Sequence, residues 1–425
     1  MIIGQLLANA LRLGGVDEVF GLPLAGVPVA EVPDTAIAEL LALAHELVHR
    51  RIALVHMGDG RLVRPGLHRG ELSLGLASVE EICELSRHFR SRPGPGSLHL
   101  ELDPQMSTVP TGWPAPPGPT GPQLPSDALC GLIRDSEAPM VLAGPAVIDR
   151  GALADLHALA AVANLGVLNT WGAKGLFDWR SRHHLATVGL QERDFDLGGL
   201  PESDLIIATG LDPHEAPDRR WQIAPFAVVD PDALGPLSEI ISRPRRDIPQ
   251  PALRAGLGEV TQHGWARTEA PLAPTAATRQ YASSLGATGL VAADAGLAGY
   301  WVARTFSTTT AGSAVVPSTA VPGVAVAAVI VARRVQPWRP ALAVIDGAPD
   351  EVTLGLLEQA SRMGIGVGVE AWDPDGPRLD ATEHAERLGR LIVTSTQEVV
   401  ALSTDERQMA QMVDVAGPII AWTDP

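Results

Sequence analysis

The sequence predicts an α/β protein made of three doubly wound parallel-sheet domains. Short apolar runs alternate with helical patterns between residues 139 and 230, and the same alternation returns beyond residue 275. A proline- and glycine-rich stretch separates this part of the chain from the residues that precede it. Strands that alternate with helices are typical of a parallel sheet covered by crossover helices.

Residues 139–230 show the clearest alternation. Four short apolar runs predict strands: Met140–Ala143, Val167–Leu168, Leu205–Ala208 and Phe226–Val229. Between the first two, apolar residues recur at three- and four-residue steps from Leu153 to Ala163, which predicts a helix. We expect Asp149 to cap the start of this helix and Gly166 to end it.

Length and charge limit the classes of protein to consider. A chain of 425 residues with 46% hydrophobic residues can bury two or three cores, since domains usually contain ~100–200 residues. The formal net charge of −17 would repel a polyanion, so we expect no nucleic-acid partner and no anionic membrane partner. Cys83 and Cys130 have no partner at metal-ligand spacing, so we expect both to be small buried hydrophobic residues.

No targeting or membrane segment is expected. The opening MIIGQLLANALRLGG has no basic region before an apolar core, so it does not predict a signal peptide. The longest apolar run, Val321–Ala332, is shorter than the ~20 residues that a membrane-spanning helix needs. We therefore predict a cytoplasmic protein.

The middle region resembles a known family. The runs PMVLAGPAV, TWGAKGLF and SDLIIATG resemble the central domain of thiamine-diphosphate (ThDP) enzymes of the acetolactate synthase and benzoylformate decarboxylase type. The resemblance implies three α/β domains in the order pyrimidine-binding, central and pyrophosphate-binding, with the central one as a scaffold. It also implies a homodimer or homotetramer, because in this family the site lies between two subunits.

The first 110 residues resemble a shortened pyrimidine-binding domain. The run LLANALRLGGVDEVFGLP is similar to its first helix and strand, and RSRPGPGSLHLELDP is similar to its last strand. Residues 111–127 are rich in proline and glycine and predict a linker. The central domain is predicted at 128–238.

Glu46 is the candidate catalytic residue. It lies 23 residues after Pro23, where the family places the glutamate that hydrogen-bonds the aminopyrimidine N1′ and drives ylid formation. The surroundings depart from the family pattern, because Leu24 stands where glycine is usual and VHRRIALVHMGDG follows.

The same helix, predicted over Thr35–Arg50, carries an H-E-x-x-H motif. His45 and His49 would lie one turn apart on one face, the arrangement that holds zinc in metallohydrolases with Glu46 as the general base. The third ligand would come from His56, His68 or Glu71. An amphipathic helix with a polar face explains the same residues, so both interpretations stay open.

Gly58-Asp59-Gly60 resembles the opening of the family's metal motif but stands in the first domain. Asp-Gly between two apolar runs predicts a hairpin turn, because glycine supplies the positive φ that a type I′ turn requires.

The C-terminal region, 275–425, resembles a degenerate pyrophosphate-binding domain. It follows a second predicted linker at 239–274 that is rich in arginine and proline. The resemblance implies that Asp346, Gly347 and Asp373 bind the cofactor and that the two aspartates hold Mg²⁺, a cation that prefers oxygen ligands. Ile345 replaces a glycine of the family motif, and no asparagine follows Asn169. The alternative is that Asp346 and Asp373 bind no metal and are turn residues at the ends of strands.

Lys174, the only lysine of the chain, follows a predicted strand end and could meet a phosphate there. Nothing in the sequence demands FAD.

Three hypotheses for function follow. The first is Mg²⁺- and ThDP-dependent decarboxylation or carboligation of a small 2-oxo acid. The second is a cofactor-free relative that acts by binding a ligand or a partner protein. The third is a zinc hydrolase that uses His45, Glu46 and His49.

Overall fold

A computed structural model describes residues 3–66, 68–76, 81, 82, 85, 89, 96–102, 127–241 and 247–423. Cys83 and the predicted linker before Asp127 lie outside these residues. The chain divides into two compact units. The first contains Met1–Gly121, Val321–Pro337 and Asp350–Ile365, and the second contains Pro122–Ala320, Trp338–Pro349 and Gly366–Pro425.

The first unit contains a mixed sheet with the strand order β2-β1-β3-β4-β6-β5. Its described strands are β1 Val16–Gly21, β2 Ala30–Glu31, β3 Ile52–His56, β4 Arg61–Arg64, β5 His68–Leu76 and β6 Gly96–Leu102. Strand β4 runs antiparallel to both β3 and β6, while the other pairs are parallel. The expectation of a wholly parallel sheet is therefore wrong for this unit, because a tight turn connects β3 to β4.

That turn confirms the predicted hairpin. The Met57 N–H donates to the Arg61 carbonyl across 3.0 Å. Gly58 and Gly60 have φ values of 89° and 87°, which residues with a Cβ rarely adopt. The reversal uses Gly58, Asp59 and Gly60, so the tighter two-residue type I′ turn is not formed.

Helices of the first unit pack on one another as well as on the sheet. The described helices are Ile3–Gly14, Thr35–His49, Val324–Val335 and Glu351–Arg362. The Asp34 carboxylate caps Thr35–His49 by accepting from the backbone of Ala36 and Ile37. This helix packs along Val324–Val335, whose residues are buried from Val324 through Arg333. The apolar residues of Val324–Val335 are therefore surrounded by protein on all sides of the helix.

The second unit holds two parallel sheets. The central sheet has the order β11-β10-β7-β8-β9. Its strands are β7 Pro139–Ala143, β8 Gly166–Thr170, β9 His184–Val188, β10 Leu205–Thr209 and β11 Phe226–Val229. All neighbouring pairs are parallel, which confirms the α/β prediction for this region.

The caps of the predicted helix in this region differ from expectation. Leu153–Ala163 begins after Ala152 without a side-chain cap, because Asp149 belongs to a separate short helix. It ends at Asn164, which adopts the left-handed conformation at φ 52°. Gly166 instead begins β8, where a Cβ would lie 2.6 Å from Leu185.

The C-terminal sheet has the order β13-β12-β14-β15-β16, and all of its pairs are parallel. Its strands are β12 Leu290–Ala293, β13 Ala314–Val315, β14 Ala341–Asp346, β15 Val367–Trp372 and β16 Gln397–Leu402. The apolar run Leu391–Thr394 does not form a strand, because those residues lie at a helix end and in the turn before β16. The chain order reverses between β12 and β14, where ligands of open α/β sheets bind.

The helices of the second unit cover both sheets. They are Asp127–Asp135, Ala146–Asp149, Leu153–Ala163, Asp194–Leu197, Asp218–Trp221, Leu234–Ile240, Ala252–Trp265, Pro274–Leu285, Leu297–Thr305, Ala381–Leu391 and Arg407–Ala416. Ala252–Trp265 lies within the stretch expected to be the second linker, so much of that stretch is helical. In the part of the chain that the structure describes, no helix has both the length and the apolar character needed to cross a membrane.

Close backbone packing in the central sheet makes a testable prediction. A Cβ on Gly144 would lie 2.3 Å from the Gly210 carbonyl oxygen, and backbone cannot yield cheaply. We expect Gly144→Ala to lower the free energy of unfolding by about 1–3 kcal/mol in urea melts.

Gly131→Ala is the matched control. Gly131 lies in the helix Asp127–Asp135, where a Cβ would meet no atom within 4 Å. This change should stabilise slightly, because alanine favours a helix over glycine. Equal effects of the two substitutions would contradict the packing described here.

Candidate functional site

Glu46 is engaged by an arginine. The Arg64 Nε lies 2.9 Å from Oε1 of Glu46, and Arg64 Nη2 lies 2.8 Å from Oε2, which is a bidentate ion pair. The Ala53 N–H also donates to Oε1 across 3.3 Å. The two side chains are 18% and 12% exposed, so water competes weakly with the pair. Both oxygens of Glu46 therefore have partners within the protein.

The two histidines of the motif do share a helix face. The centroids of the His45 and His49 rings are 4.7 Å apart. His45 Nε2 donates to Asp17 across 3.0 Å, and His49 Nε2 donates to the Val331 carbonyl across 3.1 Å. With Nε2 donating, only Nδ1 of each ring is left as a possible metal ligand.

A third zinc ligand is not in place either. His56 contacts the Leu22 carbonyl through Nδ1, and the side chains of His68 and Glu71 lie outside the described residues. Within the described ranges, no three histidine, cysteine, aspartate or glutamate side chains cluster to hold a metal ion. The contacts favour the interpretation of a polar helix face over a zinc site.

Asp346, Gly347 and Asp373 lie at neighbouring strand ends. Asp346 is the last residue of β14 and pairs in register with Trp372, the last residue of β15. The Gly347 N–H donates to the Trp372 carbonyl across 2.8 Å. Asp373 follows directly and accepts from the Asp375 N–H at 2.9 Å. The sheet therefore brings these three residues to one edge, beside the point where the chain order reverses.

The Asp346 carboxylate already caps a helix. It accepts from the backbone N–H groups of Leu297 and Ala298, at 2.6 and 2.8 Å, at the start of Leu297–Thr305. Gly296, at φ 137°, makes room for it, because a Cβ there would lie 2.1 Å from Oδ2. Burial raises the pKa of Asp346, and the two backbone donors offset part of that increase. A built-in carboxylate thus sits where a helix N-terminus would otherwise receive a phosphate.

The residues present do not fit a magnesium-diphosphate site. Both oxygens of Asp346 accept from the helix, and Oδ1 of Asp373 accepts from its own turn. Ile345, which replaces a glycine of the family motif, is buried at 4% exposure. No asparagine is available to complete the ligand set, since Asn169 is the last in the chain.

A buried polar network supports the strand that carries Asp373. Glu370 on β15 accepts from the Tyr281 hydroxyl and from Trp372 Nε1, and it contacts His384 Nε2 at 2.9 Å. Gln280 donates through Nε2 to the Ala381 carbonyl, which turns its oxygen toward His384. Burial raises the pKa of Glu370, but His384 and the hydrogen bonds bring it below its ordinary value.

A second network joins the two sheets of the second unit. Asp194 and Arg304 form an ion pair at 2.7 Å, with side chains 0% and 1% exposed. Gln191 donates to the carbonyls of Met412 and Gly417 and accepts from the Tyr300 hydroxyl. Sequence patterns do not reveal either network, because the partners lie up to 226 residues apart.

The sheets of the second unit agree with the predicted class of protein. Parallel α/β sheets with acidic residues at the carboxyl edge of the C-terminal sheet are consistent with the domains of ThDP enzymes.

One domain of the chain matches a known family model. Residues 126–234 match the model of the thiamine pyrophosphate enzyme central domain. This match supports the predicted resemblance to thiamine-diphosphate-dependent enzymes through the central domain. No curated protein matches the chain.

The buried His45 makes acid sensitivity testable. Burial, and then the nearby His49, lower the pKa of His45 to about 4 from 6.5. The unfolded chain therefore binds more protons below pH 6.5, and the contribution to stability is lost as the pH falls toward 4. We expect His45 to cost the protein about 2 kcal/mol of unfolding free energy between pH 7.5 and pH 5.

His45→Gln should remove that share of the pH dependence, because glutamine donates from the same position and does not titrate. Urea melts at both pH values check this. Identical pH dependence in the variant and the wild type would contradict the assignment.

Proposed function

We propose that this protein is a cofactor-free member of the ThDP-enzyme family that acts by binding rather than by ylid chemistry. The observation that carries the proposal is the bidentate ion pair between Glu46 and Arg64. The activating glutamate of the family needs an oxygen free to exchange a proton with the aminopyrimidine. In this chain the corresponding carboxylate is paired with Arg64.

Releasing Glu46 from Arg64 would be costly. Breaking a buried pair leaves an uncompensated charge and costs about 3–5 kcal/mol when burial is complete. The pair here is 12% to 18% exposed, so the cost is smaller but works in the same direction. A ligand would have to supply this energy before any chemistry began.

The C-terminal sheet supports the same proposal. The Asp346 carboxylate satisfies the N-terminus of Leu297–Thr305 from within the chain. An incoming diphosphate would have to displace a carboxylate that accepts two short hydrogen bonds. Both positions that the family uses for its cofactor are thus filled by the protein's own groups.

An active ThDP enzyme is the second candidate. Asp346 and Asp373 stand at adjacent strand ends beside the reversal point of the sheet, which favours a ligand there. Such an enzyme would decarboxylate or ligate a small 2-oxo acid, and Asp346 and Asp373 would hold Mg²⁺. It would require both Glu46 and Asp346 to change partners.

Calorimetry separates the two candidates. We expect no saturable heat when ThDP is titrated into the full chain, with or without Mg²⁺, because the cofactor positions are occupied. Magnesium-dependent uptake by the wild type that is lost in Asp346→Asn would overturn the proposal and establish the second candidate. Asparagine keeps an oxygen for the helix N–H groups, so the variant is expected to fold.

A double-mutant cycle tests the ion pair itself. Glu46→Gln and Arg64→Gln should each lower the unfolding free energy by about 1–3 kcal/mol, since each leaves a charged partner unpaired. The double variant should lose less than the sum of the two. Additive losses would show that Glu46 and Arg64 do not interact in solution.

We also propose that the chain forms a homodimer or homotetramer. Strand β11 is an edge of the central sheet, and its residues Phe226 and Val228 are 44% and 71% exposed. Exposed apolar side chains on an open edge favour association with another strand. A second copy of this strand would cover them.

Light scattering coupled to gel filtration checks the assembly. We expect a multiple of the chain mass for the wild type and a smaller particle for Val228→Lys, because a charge opposes edge pairing. Val393→Lys is the control, since Val393 is 64% exposed in a turn rather than on a strand edge. A monomeric wild type would reject the proposal.

A further inference from the structure

A cavity of about 530 Å³ lies in the first unit. Its walls come from the helix Ile3–Gly14, from residues 16–19 of β1 and from residues 26–28 of the loop that leads to β2. A cavity of this size accommodates a small organic molecule, since ligand pockets usually enclose ~300–1,000 Å³. Neither Glu46 nor Arg64 lines it, so it is not the place where the family resemblance predicts the cofactor.

A tight turn forms the wall that the loop contributes. The Leu24 carbonyl accepts from the Val27 N–H across 3.1 Å, and Gly26 adopts a φ of 81° at the third position of the turn. Glycine at that position is typical of a type II turn, which needs a positive φ there. The turn returns the chain to the unit, where Val27 joins the hydrophobic core. The loop wall therefore has a defined conformation.

The buried part of the lining is aliphatic. Two lining residues, Ala8 and Gly26, have little or no side chain, which leaves the space open. The apolar body of a ligand would gain free energy here, because burying apolar surface is favourable. Four lining residues are between 2% and 8% exposed and belong to one core: Leu11, Val16, Val19 and Val27.

The two carboxylates that line the cavity already have partners within the unit. Asp17 accepts from Arg51 across 2.9 Å, and its other oxygen contacts His45 at 3.0 Å. Glu18 pairs with Arg334 at 3.1 Å. Each carboxylate is thus balanced by one arginine, since His45 is neutral at physiological pH. A cationic ligand would have to displace an arginine that the chain itself supplies.

Arg12 is the charge that remains. It lies in the last turn of Ile3–Gly14, and in the part of the chain that the structure describes its side chain has neither an ion pair nor a hydrogen bond. Asn9, three residues earlier, also lines the cavity, and its amide likewise has no partner among the described residues. A guanidinium binds a carboxylate through two parallel N–H donors, and an amide adds a third. The polar part of the lining therefore fits an anionic group.

We propose that this cavity binds a small monocarboxylate with an aliphatic body, such as a medium-chain fatty acid. The carboxylate lies at Arg12 and Asn9, and the aliphatic chain packs against Leu11, Val16 and Val27. This binding site goes beyond the proposed function, because it holds whether or not ThDP binds to the protein.

A charge series of ligands tests the site. The full chain is titrated by calorimetry with octanoate, octanamide and octylamine, which share one aliphatic chain and differ in charge. We expect saturable one-to-one binding of octanoate that is about five-fold tighter than that of octanamide, the modest gain expected of an exposed ion pair. Octylamine should bind more weakly than octanamide. The advantage of octanoate should shrink at high salt, since salt screens exposed charges.

Three variants locate the binding. Arg12→Gln should remove the advantage of octanoate and leave the affinity for octanamide unchanged. Arg61→Gln is the matched control, because it changes the net charge equally while Arg61 pairs with Asp59 and does not line the cavity. Ala8→Leu should weaken octanoate and octanamide alike, because the longer side chain takes up part of the cavity. Thermal melts check that each variant is folded.

Several results would overturn the proposal. One is wild-type protein that does not bind octanoate, or that binds it no more tightly than octanamide. Another is an effect of Arg12→Gln that Arg61→Gln reproduces, because the charge of the whole protein would then explain it. A third is unchanged affinity for octanoate in folded Ala8→Leu protein. The titration with ThDP is a separate measurement, so either proposal can fail without the other.

Discussion

The second unit depends on one buried ion pair. Asp194 lies in a short helix of the central region, while Arg304 lies in the helix that follows β12. Taking two charges out of water is costly unless their geometry is good and their remaining hydrogen bonds are made. Here Asp194 also accepts from the backbone of Leu190 and Gln191. The pair therefore fixes how the two parallel sheets of this unit meet.

The same pair shapes the chemistry around it. Arg304 is held in place by Asp194 and lies close enough to Lys174 to disfavour its charged form. Gln191, three residues before Asp194, joins the C-terminal helix Arg407–Ala416 through its amide. Burial is the larger cause of the lowered pKa of Lys174, and Arg304 adds to it.

A common pattern links Glu46 and Asp346. Each is an acidic residue that the family resemblance predicts at the cofactor site, and each has a partner from its own unit. Arg64 neutralises Glu46, and a helix N-terminus stabilises Asp346. In each case the acidic side chain makes structural contacts within its own unit.

The sequence predicted what depends on local pattern. The alternation of apolar runs located β7, β8, β10 and β11, and the Gly-Asp-Gly stretch located the hairpin. Partners across a sheet left no such signal: Arg64 stands 18 residues from Glu46 and meets it only because β4 turns back antiparallel.

The sequence signals for where helices end and strands begin were also ambiguous. Gly166 stands close to the helix end but starts a strand, because Asn164 tolerates the left-handed conformation and ends the helix first. The run from Leu391 to Thr394 is apolar enough for a strand, yet the register of β15 and β16 places pairing at Gln397–Leu402. Tertiary pairing overrides local propensity at such places.

The first unit is discontinuous in the chain. Its helices Val324–Val335 and Glu351–Arg362 come from segments that interrupt the second unit. A fragment cut after Gly121 would lack both, and the face of Thr35–His49 that packs on Val324–Val335 would lose its cover. A single cleavage therefore cannot separate either unit. A protease that cuts the proline-rich linker would leave the N-terminal piece packed on the helices Val324–Val335 and Glu351–Arg362 of the C-terminal piece.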